Sequence, residues 1–225
     1  MSIAAFATRG SRRWLQVAVN RSPELLDAPL RQALDLAPKA SIQWLSPLAE
    51  ENFTEFRDLD AFSRLGVSFE EPLSDFWPPR GPMWDGLART STGEVILVEA
   101  KAHIQEMIST PTRASEQSRA LIRRSLRSVQ QELAPRAQVD WSGTFYQYAN
   151  RVAHLHFLRV RNRVPAHLVF VYFLNASDVR GPSERAEWEG AIRLVEGYLG
   201  LGRHRLARYV HKVFVDVSAL PHDAA

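Results

Sequence analysis

The sequence predicts an α/β protein in which helices flank a mixed central β-sheet. Of its 225 residues, 45% are hydrophobic and 24% are charged, which is enough apolar material for one sizeable core. Residues 167–174 form a near-continuous apolar run, as expected of a strand covered on both faces. Glu116–Leu133 carries apolar side chains at helical spacing. Because the chain contains no internal repeat, low-complexity tract or long linker, we predict a single domain over residues 1–225.

The N-terminal third contains signals for two strands and two helices. Residues 14–19 alternate at period two, which we interpret as a strand. Ser22-Pro23-Glu24 predicts the start of a short helix, with serine as the cap and proline in the first turn. Ser46-Pro47 repeats that signal and predicts a helix over residues 46–64, which Gly66 ends. Residues 65–73 are then predicted to form a strand.

The rest of the chain is predicted to begin with a hairpin after a proline-rich loop. Its two strands are residues 83–89 and 95–102, joined around Thr90-Ser91-Thr92-Gly93. Two helices, a buried strand, a further helix and a last strand complete the prediction: Glu116–Leu133, 145–159, 167–174, 188–199 and 209–217.

The composition excludes several classes of site. The chain has no cysteine, which removes thiolate catalysis, Cys-ligated metal sites and disulfide bonds. No stretch approaches the roughly 18 uninterrupted apolar residues that a membrane span needs. We therefore expect no membrane partner and a cytoplasmic location.

The charge is segregated along the chain, although the net charge is only +3. Residues 22–108 contain 7 Lys or Arg against 15 Asp or Glu, whereas residues 109–165 contain 10 Arg against 3 acids. This distribution suits a protein that holds a cation with one region and phosphate groups with another. The alternative is surface charge that clusters without a ligand.

One short motif carries candidate chemistry. Glu99 and Lys101 lie two residues apart in an apolar strand, so their side chains share one face of the sheet. If the hairpin is centred on Thr92, Asp85 lies directly opposite Glu99, with Cβ atoms about 4.5–5.5 Å apart. Two carboxylates at that distance repel unless a divalent cation lies between them, and Mg²⁺ suits such oxygen ligands best. A slip of one residue would turn Asp85 to the other face.

These residues resemble the motif of the PD-(D/E)XK nuclease superfamily. Asp85 is followed by Glu99-Ala100-Lys101 after an apolar strand, with a predicted acidic helix before the motif and a helix and buried strand after it. The resemblance covers residues 46–175 and implies a restriction-endonuclease-like fold with an αβββαβ core, to which the terminal elements are additions. The motif departs from the family in one respect. Trp84 stands where a proline usually precedes the aspartate, and Pro82 lies two residues further back.

The resemblance implies a Mg²⁺-dependent nuclease, with Mn²⁺ as a substitute. Asp85 and Glu99 would be metal ligands together with the backbone carbonyl of Ala100, and Lys101 would orient or deprotonate the attacking water. Many members also place a Glu of the first core helix near the metal, and Glu55 is the candidate because it borders the apolar face of the predicted helix. These roles agree with general metal-assisted hydrolysis of phosphodiesters.

Candidate nucleic-acid contacts lie on the two helices after the motif. Arg119, Arg123 and Arg127 recur at four-residue steps, with Arg124 beside them, opposite the apolar face of their helix. Such a stripe could neutralise phosphates along a nucleic-acid backbone, and DNA is favoured over RNA. An exposed helix face without a ligand is the alternative.

The second of these helices carries a polar stripe of Gln147, Arg151 and His154 among apolar residues. These side chains either line a cleft or satisfy polar groups in the core, because a buried polar group without a partner is costly. The resemblance favours the cleft for Gln147. By analogy with nucleases that cut both strands, two copies could pair as a homodimer.

Two other functional classes remain open. The chain could be a non-catalytic nucleic-acid-binding or assembly module that retains the fold. It could also be a structural protein in which Asp85, Glu99 and Lys101 form an ordinary solvated strand face with a cross-strand ion pair.

Overall fold

A five-stranded mixed β-sheet flanked by helices forms the centre of the protein. The computed structural model describes residues 5–109 and 114–221. The strands lie in the sheet in chain order: β1 (Ile42–Ser46), β2 (Gly86–Thr90), β3 (Val95–Lys101), β4 (Ala166–Leu174) and β5 (Val210–Asp216). The helices are α1 (Gly10–Arg21), α2 (Glu24–Ala33), α3 (Asp58–Arg64), α4 (Leu73–Phe76), α5 (Glu116–Leu133), α6 (Tyr146–His156) and α7 (Arg185–Leu199).

The sheet combines an antiparallel half with a parallel half. Strands β1, β2 and β3 form an antiparallel meander, whereas β4 pairs parallel to β3 and β5 pairs parallel to β4. Parallel neighbours need a crossover connection, and α5 with α6 provides one while α7 provides the other. The predicted hairpin register is confirmed, since Gly86 pairs with Val98 and Leu87 pairs with Leu97.

Helices cover both faces of the sheet. One face packs against α1 and α2 through apolar side chains that include Trp14, Leu15, Leu26, Ile96, Val98, Ala100 and Val171. The other face packs against α5, α6 and α7 through a second set that includes Leu97, Leu126, Val152, Phe170, Tyr172 and Trp188. Strand β3 lies between these layers and is buried along its whole length, so any charged residue in it requires a partner.

The predicted strand over residues 14–19 is wrong, because these residues belong to α1. All six are buried, including Gln16, since the helix is enclosed by α2, the sheet and neighbouring loops. A short apolar run has the same appearance in a buried helix as in a strand, and here tertiary packing decided between them.

The region between β1 and β2 also differs from its prediction. Ser46 ends a strand instead of starting a helix, and α3 begins only at Asp58. Asn52 and Phe53 have positive φ angles, which interrupt a helix over residues 46–64. Residues 65–73 form no strand. The meander instead takes its remaining strand from β1, which begins at Ile42, before residue 46 at which the nuclease-like core was predicted to begin.

The later elements agree more closely with prediction. The bounds of α5 are those expected, and β4, α7 and β5 differ from their predicted ranges by no more than three residues at either end. Helix α6 ends at His156 and continues as a single π-helical turn to Arg161. None of the helices among the described residues is long and apolar enough to cross a lipid bilayer.

Candidate active site

Three carboxylates lie side by side on adjacent extended segments. Phe56 forms an isolated antiparallel bridge with Trp84, whose N–H donates to the Phe56 carbonyl at 3.0 Å. Continuing this register by one residue places Glu55 opposite Asp85, and continuing the β2–β3 register places Asp85 opposite Glu99. The chain therefore gathers Glu55, Asp85 and Glu99 in one row across the sheet.

Glu99 is the most deeply buried member of this row, with 1% of its surface exposed. Lys101 Nζ contacts Glu99 Oε1, and Arg151 Nε donates to Glu99 Oε2 at 2.6 Å. Burial by itself raises the pKa of Glu99, but the Arg151 guanidinium and the Lys101 ammonium lower it to a value below its ordinary one. The carboxylate is therefore ionised and paired with two cations.

Asp85 lies just before β2 and points toward β3. Its Oδ2 accepts a hydrogen bond from the Ala100 N–H at 2.8 Å. Burial and the neighbouring charge of Glu99 raise the pKa of Asp85 to about 7, although Lys101 acts in the opposite direction. The negative charge of Glu99 thus disfavours ionisation of Asp85, and further positive charge nearby would favour the ionised form of both carboxyl groups.

Glu55 belongs to the same electrostatic cluster, although the helix predicted to carry it does not form. It lies in the extended segment before α3 and contacts Arg12 of α1, with Arg12 Nε 3.0 Å from Glu55 Oε1. Burial raises the pKa of Glu55, Arg12 opposes this change and Glu99 adds to it. Because the charge of Glu99 contributes to the raised pKa of Glu55, the two carboxylates are close enough to interact.

Lys101 connects the carboxylate row to α6. Its side chain is 10% exposed, and Nζ donates to Gln147 Oε1 at 3.0 Å as well as contacting Glu99. The Gln147 N–H in turn donates to Ser109 Oγ at 2.9 Å, which holds the start of α6 against the chain that follows β3. Gln147 therefore lies in the candidate site, as the resemblance implied.

Arg151, a predicted nucleic-acid contact, lies beneath the carboxylates and forms part of the wall of an adjoining cleft. It is 3% exposed, pairs with Glu99 and donates to the Met83 carbonyl at 2.6 Å. Its guanidinium also lies 4.6 Å from the centre of the Trp84 ring. This pairing was not predicted from the sequence. Arg151 lies four residues after Gln147, so both side chains are on the sheet-facing side of α6, and that spacing could have indicated the pairing.

His154, the last residue of the polar stripe, lies in the core. His154 is buried, and its Nδ1 lies 2.8 Å from the Asn150 carbonyl oxygen. Burial lowers the pKa of His154 to about 3, so the ring is neutral. The aromatic rings of Phe76, Trp77 and Trp84 surround it.

The arginine stripe lies on the solvent side of α5. Ile122, Leu126 and Val129 of that helix face the core, whereas the four predicted residues are exposed: Arg119, Arg123, Arg124 and Arg127. Among the contacts of the described residues, none joins these arginines to the carboxylate row.

An open cleft adjoins the carboxylates. Its volume is about 710 Å³, and we call it the α5 cleft because Ser115 and Ser118 at the start of α5 form part of its wall. Asp85 and Gln147 line it from the site, and Arg80 lines it from the loop before β2. A substrate in this cleft would reach Asp85 directly.

The donor chemistry of the row fits a hard divalent cation. In the described parts of the chain, no three His, Asp or Glu side chains are arranged to hold a metal ion. Glu99 is paired with Lys101 and Arg151, and Glu55 with Arg12. Asp85 and Glu99, however, are neighbouring oxygen donors that disfavour each other's charge. Mg²⁺ needs only one or two protein carboxylates, because it retains several of its waters.

The chain matches no protein-family model, no curated protein and no solved structure in the comparisons made with each.

Proposed function

We propose that this chain is a Mg²⁺-dependent nuclease with a restriction-endonuclease-like fold. The observation that carries the proposal is the convergence of Asp85, Glu99 and Lys101 beside an open cleft. The order of elements supports it. Helices α1 and α2, the meander β1–β2–β3, helices α5 and α6, and β4 follow an αβββαβ arrangement, with α3 and α4 inserted between β1 and β2. Lysine occurs at only three positions of this arginine-rich chain, and one of them is buried beside the carboxylates.

Asp85 and Glu99 would hold the ion, together with the Ala100 carbonyl. When bound, Mg²⁺ would supply Lewis acidity at the phosphate and increase the acidity of a coordinated water. The Ala100 N–H fixes the Asp85 carboxylate, and β3 fixes Glu99, so both donors are held by the sheet itself. Donors on a rigid sheet keep their spacing during a reaction, which favours electrostatic preorganisation.

Lys101 would act on the attacking water and on the charge at phosphorus. Its ammonium is held between Glu99 and Gln147, so its position does not depend on the substrate. A compact ammonium at this point can donate a hydrogen bond to the attacking water and offset the negative charge that develops on the phosphate. Glu55 would support the ion or its waters from the other side of Asp85.

The arginine stripe of α5 would hold the nucleic-acid backbone, and we take DNA as the substrate. Exposed arginines bind phosphates without reading the base sequence.

The test is cleavage of DNA by the purified chain in Mg²⁺, Mn²⁺, Ca²⁺ or EDTA. We expect cleavage in Mg²⁺ and Mn²⁺ only, and its loss in Lys101→Met, which keeps the packing of the lysine stem. The matched control is Arg203→Ala, an exposed arginine in the loop before β5. If plasmid DNA, linear DNA and RNA all remain uncut under every one of these conditions, the proposed activity is wrong.

A second candidate function has one observation in its favour. Lys101 and Arg151 already balance the charge of Glu99, so this carboxylate is stable without an ion. A non-catalytic nucleic-acid-binding module could retain that arrangement. Salt-sensitive DNA binding with no cleavage and no binding of Mn²⁺ would select it.

A further inference from the structure

We propose that His167 and His211 bind a divalent transition-metal ion of the Zn²⁺ class, at a site separate from the candidate active site. The two residues lie near the starts of the adjacent parallel strands β4 and β5, where Val169 pairs with His211. Because His167 precedes Val169 by two residues, its side chain lies on the same face of the sheet as that of His211. His167 Nδ1 is 2.9 Å from His211 Nε2, so one ring nitrogen of each histidine faces the other.

The histidine pair is remote from the carboxylate row. His167 pairs with Ile96 near the start of β3, whereas Glu99 pairs with Phe170. Three residues along a strand span about 10 Å, and an odd number of residues reverses the face on which a side chain lies. The histidines and Glu99 therefore lie on opposite faces of the sheet, and ion binding by the histidines does not depend on the proposed nuclease activity.

Each ring also contacts an acceptor on its other side. His167 Nε2 lies 3.4 Å from Glu94 Oε1. The His211 ring donates a hydrogen bond to the Ala33 carbonyl, and the donor is Nδ1 because Nε2 faces His167. Histidines that bind metals almost always donate the second ring N–H to a carboxylate or a backbone carbonyl, which fixes the orientation of the ring. Both acceptors of that kind are present here.

Two neutral rings carry too few protons for these contacts. Burial lowers the pKa of both histidines, to about 4 for His211, so each ring is neutral at pH 7 and has one N–H. The contacts with Glu94 and with Ala33 use one proton each. Two lone pairs then face each other at 2.9 Å between the rings, and they repel unless a cation lies there. A metal ion removes this repulsion, because it binds the lone pairs of neutral imidazoles.

The nitrogen donors determine the class of ion. Imidazole suits Zn²⁺, Cu²⁺ and Ni²⁺, whereas Mg²⁺ prefers oxygen ligands. Zn²⁺ binds nitrogen at about 2.0–2.1 Å, so two nitrogens on one tetrahedral ion lie about 3.3 Å apart. The facing nitrogens must therefore move apart by about 0.4 Å from their separation of 2.9 Å. Strand β5 is at the edge of the described sheet, so His211 can make this shift without displacing a further strand of that sheet.

An open cleft gives the ion a path to the histidines. His211 is half-buried and lines this cleft, whose volume is about 440 Å³. The charged side chains of its wall are Arg185, Glu189, Arg193 and Lys212. Two of the three cations are already paired, Arg185 with Glu189 and Lys212 with Glu196, which limits their repulsion of an entering ion. Water from the cleft can fill the coordination positions that the histidines leave open.

The first test counts Zn²⁺ ions bound per chain by titration calorimetry after treatment with a chelator. We expect the native chain to bind one more Zn²⁺ than His211→Ala, and Mg²⁺ not to fill this site. The matched control is His103→Ala, which removes a histidine that contacts Glu106 and should keep the native number of ions. If His211→Ala binds as many Zn²⁺ ions as the native chain, the inference is wrong.

A second measurement uses the native chain, so it does not depend on how well a variant folds. Nitrogen-15 NMR of the histidine rings should show that Zn²⁺ shifts His167 Nδ1 and His211 Nε2, because these two atoms would bind the ion. Zn²⁺ at the carboxylate row would leave both rings unchanged, so the result also separates this site from the proposed active site. If either nitrogen keeps its resonance at saturating Zn²⁺, a shared proton joins the rings and the inference is overturned.

Glu94 should act as a positioning residue for the ion. Glu94→Ala removes the acceptor that orients His167, and we expect Zn²⁺ binding to weaken by about 10–100-fold. The matched control is Glu189→Ala, which removes the same charge from the wall of the cleft and should weaken binding by less than about threefold, because exposed charges are screened. Equal affinities in the two variants would contradict the role given to Glu94 and with it the proposed site.

Discussion

Arg151 and Glu99 form a buried ion pair in which Nε and Nη2 of the guanidinium lie 2.6 and 2.5 Å from the same carboxylate oxygen, Oε2. The pair joins α6 to the central strand of the sheet directly below the candidate metal position. Lys101 contacts the other oxygen, so the free protein neutralises Glu99 with its own side chains. These contacts give the site both its rigidity and its charge balance.

Replacing Arg151 should therefore destabilise the protein strongly. Arg151→Met leaves Glu99 with Lys101 as its only cationic contact, and we expect the free energy of unfolding to fall by about 3 kcal/mol. Urea unfolding measures this change. The matched control is Arg163→Met, which removes an exposed ion pair with Glu70 and should cost less than about 1 kcal/mol. Adding Glu99→Gln to Arg151→Met should restore part of the lost free energy of unfolding. Equal losses in Arg151→Met and Arg163→Met would contradict this expectation.

His154 should make stability depend on pH over a defined range. Burial lowers the pKa of His154 to about 3 from its ordinary value of 6.5, so below pH 6.5 the unfolded chain binds a proton that the folded chain does not. Stability contributed by the neutral ring is then complete above about pH 6.5 and is lost as the pH falls, by at most about 1.4 kcal/mol per pH unit. In His154→Asn, which lacks the titrating ring, urea unfolding from pH 4 to pH 8 should show the gap to the native protein closing toward acid. Parallel profiles would show that His154 does not carry this dependence.

Gly181 should be required at the carboxyl edge of the sheet. A Cβ at this position would lie 2.2 Å from the Ala102 carbonyl oxygen, so Gly181→Ala must displace the backbone that follows β3. We expect a loss of about 1–3 kcal/mol in urea unfolding, as in other overpacked sites. The control is Gly197→Ala in α7, where no atom lies within 4 Å and alanine should stabilise the helix by up to about 1 kcal/mol. A neutral Gly181→Ala would show that the loop after β3 adjusts freely.

The arginine stripe should contribute to DNA binding through charge alone. Replacing Arg119, Arg123 and Arg127 together by alanine should make the salt slope of duplex binding shallower by as much as about 2.7, if each arginine contacts one phosphate. The loss should be equal for unrelated DNA sequences, because phosphate contacts carry no base information. Fluorescence anisotropy over a salt series measures both quantities. An unchanged slope would identify the stripe as an exposed helix face without a nucleic-acid partner.

Much of the sheet and part of the site could be predicted because their signals are local. The apolar run of residues 95–98 and the turn centred on Thr92 were sufficient to place Asp85 opposite Glu99, and the apolar repeat of α5 was sufficient to place both its ends. Residues 14–19 could not be assigned in the same way, because the stretch of α1 that they form is buried on all sides and has no exposed polar face to reveal a helical period. Residues 46–64 contain residues typical of helix starts. The chain there nevertheless forms a 3₁₀ turn and an isolated β-bridge before α3 begins at Asp58.

By itself, the sequence determined that Glu99 and Lys101 share one face of a buried strand and that a carboxylate stands across from them in a hairpin, because side-chain direction in a strand alternates with every residue. Only the tertiary structure decided that Glu55 joins this row and that Arg151 pairs with Glu99. The first depends on the bridge between Phe56 and Trp84, and the second on how α6 packs against β3. Contacts between segments far apart in the chain depend on the burial and charge of the whole core, and a periodic pattern shows at most which face of an element a side chain lies on.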